Sequence, residues 1–160
     1  MAGKVRTQLL ALIAQKRLSP DSLCGCTPEE IATIEQQFNC RLPAEYRDFL
    51  TMAGKRSGKL FQGTDMHYAD ILNLRPDAEE LLAARRLVHL LPVQACVFGM
   101  HQGYVFTFFV PDGDDPAVHQ YLEGDSFISK PWDHFSDFMR DAIAQHILVW
   151  PNLDDDAPSV

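Results

Sequence analysis

The chain has 160 residues, 46% hydrophobic, 22% charged and 10% aromatic, a globular composition that excludes intrinsic disorder and suits one hydrophobic core. Its formal net charge is −8, with 22 acidic against 14 basic residues; this argues against nucleic-acid and anionic-membrane ligands, which select clustered Lys and Arg. The longest apolar run, Tyr104 to Val110, falls far short of the roughly 20 residues that cross a bilayer.

The N-terminus lacks the apolar block of a secretory signal, so a cytoplasmic protein is expected. Cys24, Cys26, Cys40 and Cys96 are expected as free thiols, because a domain with this apolar content needs no staples. One domain over 1–160 is expected, with a flexible acidic tail over 152–160 that carries Asp154, Asp155 and Asp156.

Val5, Leu9, Leu12 and Ile13 line one helical face, and Ser19-Pro20-Asp21 stops that helix. Ser22 to Cys26 reads as a loop. Thr27-Pro28-Glu29-Glu30 then carries a capping threonine, a proline at the first helical position and a glutamate placed for a capping box. Ile31, Ile34 and Phe38 give that helix its apolar face. Asn39 to Leu42 interrupts it, and Pro43 opens another helix with Tyr46, Phe49, Leu50 and Ala53 inward, ending at Gly54. Leu42 is expected to staple apolar surface and Glu45 to face the positive helix end.

Lys55 to Lys59 reads as a mobile basic turn, followed by a strand near Lys59 to Gln62. Asp70 to Leu74 fits a short strand or a helix, and Pro76 to Leu87 a helix. Val93 to Met100 and Tyr104 to Val110 flank His101-Gln102-Gly103 as a hairpin. The second of these strands is apolar on both faces, as a central strand would be. A turn from Pro111 to Pro116, a strand from Ala117 to Tyr121 and a turn at Glu123-Gly124-Asp125 follow. Pro131 to Ile147, with Phe135, Phe138, Met139, Ala142, Ile143 and Ile147, reads as a closing helix on the sheet. Helices, then a meander, then a helix make the fold class α+β, an antiparallel or mixed sheet packed against helices.

Candidate chemistry is sparse. Gly54 to Leu60 has three residues between its glycines where a phosphate loop needs four, and Leu60 stands where Ser or Thr must reach magnesium. Cys24-Gly25-Cys26 lacks a second pair of zinc ligands. Six histidines are scattered singly; His134 with Asp137, and Cys96 with His101, are the pairs that a small enzyme would use. Tyr68, Trp132 and Trp150 fit packing better than interface anchoring. No catalytic residue, cofactor or metal is expected.

Ile31-Ala32-Thr33-Ile34-Glu35-Gln36-Gln37-Phe38, then Arg41-Leu42-Pro43-Ala44-Glu45-Tyr46-Arg47-Asp48-Phe49-Leu50 and Ala53-Gly54, resembles the SUKH superfamily over residues 27–54. Phe135 and Phe138 match the aromatic pair of its closing helix, and the helix before Ser19 is an addition. The resemblance implies a mixed sheet packed with helices, no catalytic residues, and a protein-binding role. That role is either bacterial immunity against a cognate toxin or intracellular regulation and scaffolding of the cell-wall assembly type.

Chosen by chemistry rather than by the resemblance, the expected partner-binding residues are Asp112, Asp114, Asp115, Glu123 and Asp125, with Tyr104 and Tyr121 as aromatic anchors. They suit a toxin domain with a basic surface; the chain itself is expected to be a monomer or weak homodimer.

Overall fold

The structure is a computed structural model that describes residues 3–151; the expected acidic tail therefore lies outside the described residues. Helix α1 (Lys4–Ala14) buries Val5, Leu9 and Leu12, three of the four positions its period picks out, and leaves Ile13 partly exposed. Strand β1 (Leu23–Cys24) pairs antiparallel with β2 (Arg56–Ser57), which corrects the loop expected at 22–26 and the mobile turn expected at 55–59. Two-residue strands show no periodicity, and each finds its partner more than 30 residues away.

Helix α2 (Pro28–Phe38) begins on the expected capping box. Glu30 N–H donates to the Thr27 hydroxyl at 3.2 Å, and Thr27 N–H donates to the Glu30 carboxylate at 2.8 Å. Asn39 ends the helix in the left-handed region at φ 51°, a conformation asparagine tolerates. Helix α3 (Ala44–Ala53) follows Pro43 and buries Tyr46, Phe49, Leu50 and Ala53. Only glycine fits at Gly54, where a Cβ would lie 2.6 Å from Cys26 Sγ and from the Leu50 carbonyl.

The strand expected at 59–62 is absent. Residues 58–63 form turns instead, which carry Leu60 and Phe61 inward, and β3 (Thr64–Asp65) comes after them. Helices α4 (Tyr68–Ile71) and α5 (Leu74–Ala83) resolve the open choice at 70–74 in favour of helix. Strands β4 (Cys96–His101), β5 (Val105–Phe109), β6 (Val118–Leu122) and β7 (Ser129–Trp132) complete a five-stranded sheet of order β3-β4-β5-β6-β7, antiparallel throughout. As its two apolar faces demanded, β5 is the central strand.

Both faces are covered. Cys96, Phe98, Phe109 and Val118 pack with α1, α2, α3 and α6 (Phe135–Val149), whereas Val97, Met100, Phe106, Phe108 and Tyr121 pack with α5. A register shift between Val97 and Gly99 lets Val97 and Met100 point to the same side. Gly99 sits where a Cβ would come within 2.8 Å of Thr107 Oγ1. On the helical side, Tyr46 lies 5.1 to 5.8 Å from Phe98, Phe109 and Phe135, in the tilted and edge-on geometries that aromatic rings prefer. Burial of each such ring contributes roughly 1.5–3 kcal/mol.

The closing helix starts later than its sequence suggests. Pro131 and Trp132 belong to β7, and α6 begins at Phe135. Pro131 resembles a helix-opening proline, but the cap of α6 comes from elsewhere: Asp115 accepts hydrogen bonds from Ser136 N–H at 2.8 Å and Ser136 Oγ at 2.6 Å. Among the described residues no helix is long and apolar enough to cross a membrane.

Candidate partner-binding surface

Of the two pairs a small enzyme would use, His134 and Asp137 meet, whereas Cys96 and His101 are held apart. Cys96 and His101 occupy opposite ends of β4, opposite Phe109 and Val105 respectively, and the His101 ring bonds Thr64 Oγ1 at 2.9 Å. Cys96 is fully buried, with its sulfur 3.9 Å from that of Cys40, and burial pushes its thiol far above the ordinary range. Cys26 is raised to about 11, first by burial and then by the Glu30 charge, so neither thiol supplies a thiolate at neutral pH. His134 bonds Asp137 at 3.1 Å on an exposed turn of α6, where Asp137 also takes Arg140 at 2.9 Å.

One serine–histidine pair escaped the sequence reading. Ser57 Oγ lies 2.8 Å from His67 Nε2, on a residue ten positions farther along the chain, with no motif to signal it. Ser57 donates its proton to the Leu60 carbonyl at 2.7 Å, so the imidazole must donate to Ser57, the reverse of general-base activation. Ser57 is also only 1% exposed, and desolvation lowers the His67 pKa, partly offset by Asp70 and Asp65. This pair joins β2 to the start of α4 and packs.

Gly54 to Leu60 leads from a helix into β2, the opposite of the strand-to-helix order of a phosphate loop. Among the described residues no three or more His, Cys, Asp or Glu side chains converge on a metal-sized point. Tyr68 packs against the core, Trp132 stacks edge-on with Phe138 at 5.1 Å and donates to Asp141, and Trp150 lies under the Lys59 ammonium at 3.9 Å.

The expected partner-binding residues fall into two groups. Asp112, Asp114 and Asp115 sit in the β5–β6 loop, whereas Glu123, Asp125 and Tyr104 sit where β6 leaves the sheet and β5 enters it. Five-residue strands at about 3.3 Å per residue separate these ends by roughly 17 Å, so they do not form one patch. Asp112 and Asp114 are exposed. Asp115 is half-buried; besides capping α6 it lies 3.8 Å from the Lys4 ammonium. The Asp114 carbonyl accepts Glu45 N–H at 3.0 Å. Glu45 in turn accepts the Lys4 and Val5 N–H groups at 3.0 and 2.8 Å, capping α1 as well as opening α3. That second role carries no sequence signal, since 40 residues separate Lys4 from Glu45.

At the other end, Tyr121 is 1% exposed and donates its hydroxyl to the Asp125 carbonyl at 3.0 Å, so as an anchor it is corrected to a core residue. Tyr104 is 38% exposed, and Glu123 N–H donates to its carbonyl at 2.8 Å. The sequence reading missed two neighbours here, Leu122 at 42% and Phe127 at 58% exposure. Strand alternation puts Tyr104 on the Phe106 side and Leu122 on the Val105 side, so this end is apolar on both sides of the sheet. Arg85 ties the turn down by a hydrogen bond to the Gly124 carbonyl.

A groove of about 620 Å³ lies between α2 and α3, lined by Cys26, Pro28, Ile31, Glu35, Arg41, Arg47 and Thr51. It opens directly over the residues that carry the SUKH resemblance.

Comparison with curated protein sequences gives no match. The model of the SMI1 / KNR4 family (SUKH-1) matches residues 25–141, from the turn before α2 into α6, and leaves α1 outside. With most of its length matched, and with α2, α3 and the antiparallel sheet all inside that span, the chain belongs to the SMI1 / KNR4 family (SUKH-1).

Proposed function

We propose that this chain is a non-catalytic protein-binding module, acting in the cytoplasm as an immunity protein that neutralises a cognate polymorphic or contact-dependent toxin. The observation that carries the reading is the turn end of the sheet, where Tyr104, Leu122 and Phe127 stand exposed beside Glu123, and backbone hydrogen bonds close the turns at 101–104 and 122–125. Apolar anchors held on a rigid frame lose little entropy on binding, and the net charge of −8 speeds encounter with a basic partner. Family membership supports a binding role.

Asp112 and Asp114, exposed at the far end, contribute to long-range attraction rather than to the contact itself. Asp115 and Tyr121 serve the fold, and Asp125 serves the contact through the turn that its carbonyl shapes.

The test is co-expression with the product of the open reading frame beside its gene. Rescue of growth together with a tight stoichiometric complex is expected. No rescue, with several weaker partners recovered instead, would favour a regulatory or scaffold role of the cell-wall assembly type.

A further inference from the structure

The α2–α3 groove differs in charge from the rest of this acidic chain. Pro28, Ile31 and Glu35 lie on one face of α2, Arg47 and Thr51 on one face of α3, and Arg41 closes one end. Glu35 Oε2 is already engaged by Leu42 N–H at 2.9 Å and by Arg47 at 3.3 Å. That contact is the ion pair Arg47 makes among the described residues, and its Nε is buried without a partner. Arg41 is exposed and makes no hydrogen bond or ion pair among the described residues. Two guanidinium groups thus face one neutralised carboxylate over an apolar floor of Pro28 and Ile31.

We propose that this groove binds a short acidic segment of a partner protein, with a carboxylate on Arg41 and Arg47 and a neighbouring aliphatic side chain on Pro28 and Ile31. Guanidinium forks match carboxylates, and the apolar floor rewards a side chain that a free phosphate or a nucleic-acid backbone does not carry. From residue 28 to 35, α2 rises roughly 10 Å, room for about three extended residues. The site is separate from the turn end, uses none of its residues, and stands or falls independently of the immunity reading.

The experiment is fluorescence anisotropy with a labelled synthetic peptide Asp-Leu-Glu-Ile-Asp, and with its Asn/Gln counterpart, on the full chain at low salt. The acidic peptide is expected to bind about tenfold more tightly than the neutral one. Arg41→Glu should weaken it about tenfold and Thr51→Lys should tighten it, while Tyr104→Ala leaves it unchanged. No binding up to about 1 mM, equal binding of the two peptides, or indifference to both Arg41→Glu and Thr51→Lys would overturn the proposal. Self-association of the chain that Arg41→Glu abolishes would assign the groove to a second copy, and would overturn it too.

Discussion

The two ends of the sheet hold acidic residues that look alike in sequence and do different things. At the end where β5 turns into β6, Asp115 spends both carboxylate oxygens on the start of α6, and the Asp114 carbonyl holds the start of α3. At the opposite end, Glu123 caps nothing among the described residues, and beside it Tyr104, Leu122 and Phe127 remain exposed. The first end uses its polar groups to fasten helices; the second leaves apolar surface uncovered on a rigid edge. The Asp115 carboxylate, claimed by a helix start, is therefore not free to meet a partner, whereas those of Asp112 and Asp114 are exposed.

Substitutions can pull that contrast apart, and the largest effect belongs to the exposed end. Tyr104→Ala with Phe127→Ala should weaken partner binding about a hundredfold, since two anchors of about 1–2 kcal/mol each are lost. Urea unfolding should move by less than about 0.5 kcal/mol in that variant, because neither ring is in the core. Asp115→Ala should do the reverse: a loss of about 1–2 kcal/mol in urea unfolding with the cap of α6 removed, and little change in the partner's dissociation rate.

Tyr46 sharpens the contrast from within the core. Its hydroxyl is buried with no hydrogen-bond partner among the described residues. Tyr46→Phe should thus leave stability unchanged or raise it by up to about 1 kcal/mol, as read by thermal unfolding. Trading a buried aromatic hydroxyl for hydrogen costs nothing here, whereas trimming an exposed ring at the turn end costs binding.

The smallest effect is a pH dependence. Burial holds His67 below its ordinary pKa near 6.5, so the unfolded chain takes up a proton more readily than the folded one. The stability this gives is complete above the unfolded value and is lost as pH falls below it toward the folded value. Melting temperature should therefore drop from pH 7.5 to 5.5 by an amount that shrinks in His67→Gln.

What the sequence disclosed follows the same division between local and distant physics. The start of α2 was legible because Thr27 and Glu30 satisfy each other within one turn. The inward faces of α2 and α3 were legible from period alone, and β5 announced its central place by being apolar on both sides. The late start of α6 was hidden because its cap, Asp115, arrives from 21 residues away. The β1–β2 ladder was hidden because two-residue strands have no pattern to read. The candidate surface was half legible: Tyr104 and Glu123 were chosen on chemistry, but the separation of the acidic loops and the exposure of Leu122 and Phe127 follow from the hairpin register.

On the proposed function, recognition takes place at the turn end and not at the helix-fastening end. Amide hydrogen exchange on the complex with its partner measures this directly. Protection is expected at residues 102–105 and 122–128, with residues 111–116 unchanged; protection at 111–116 and none at the turn end would contradict it.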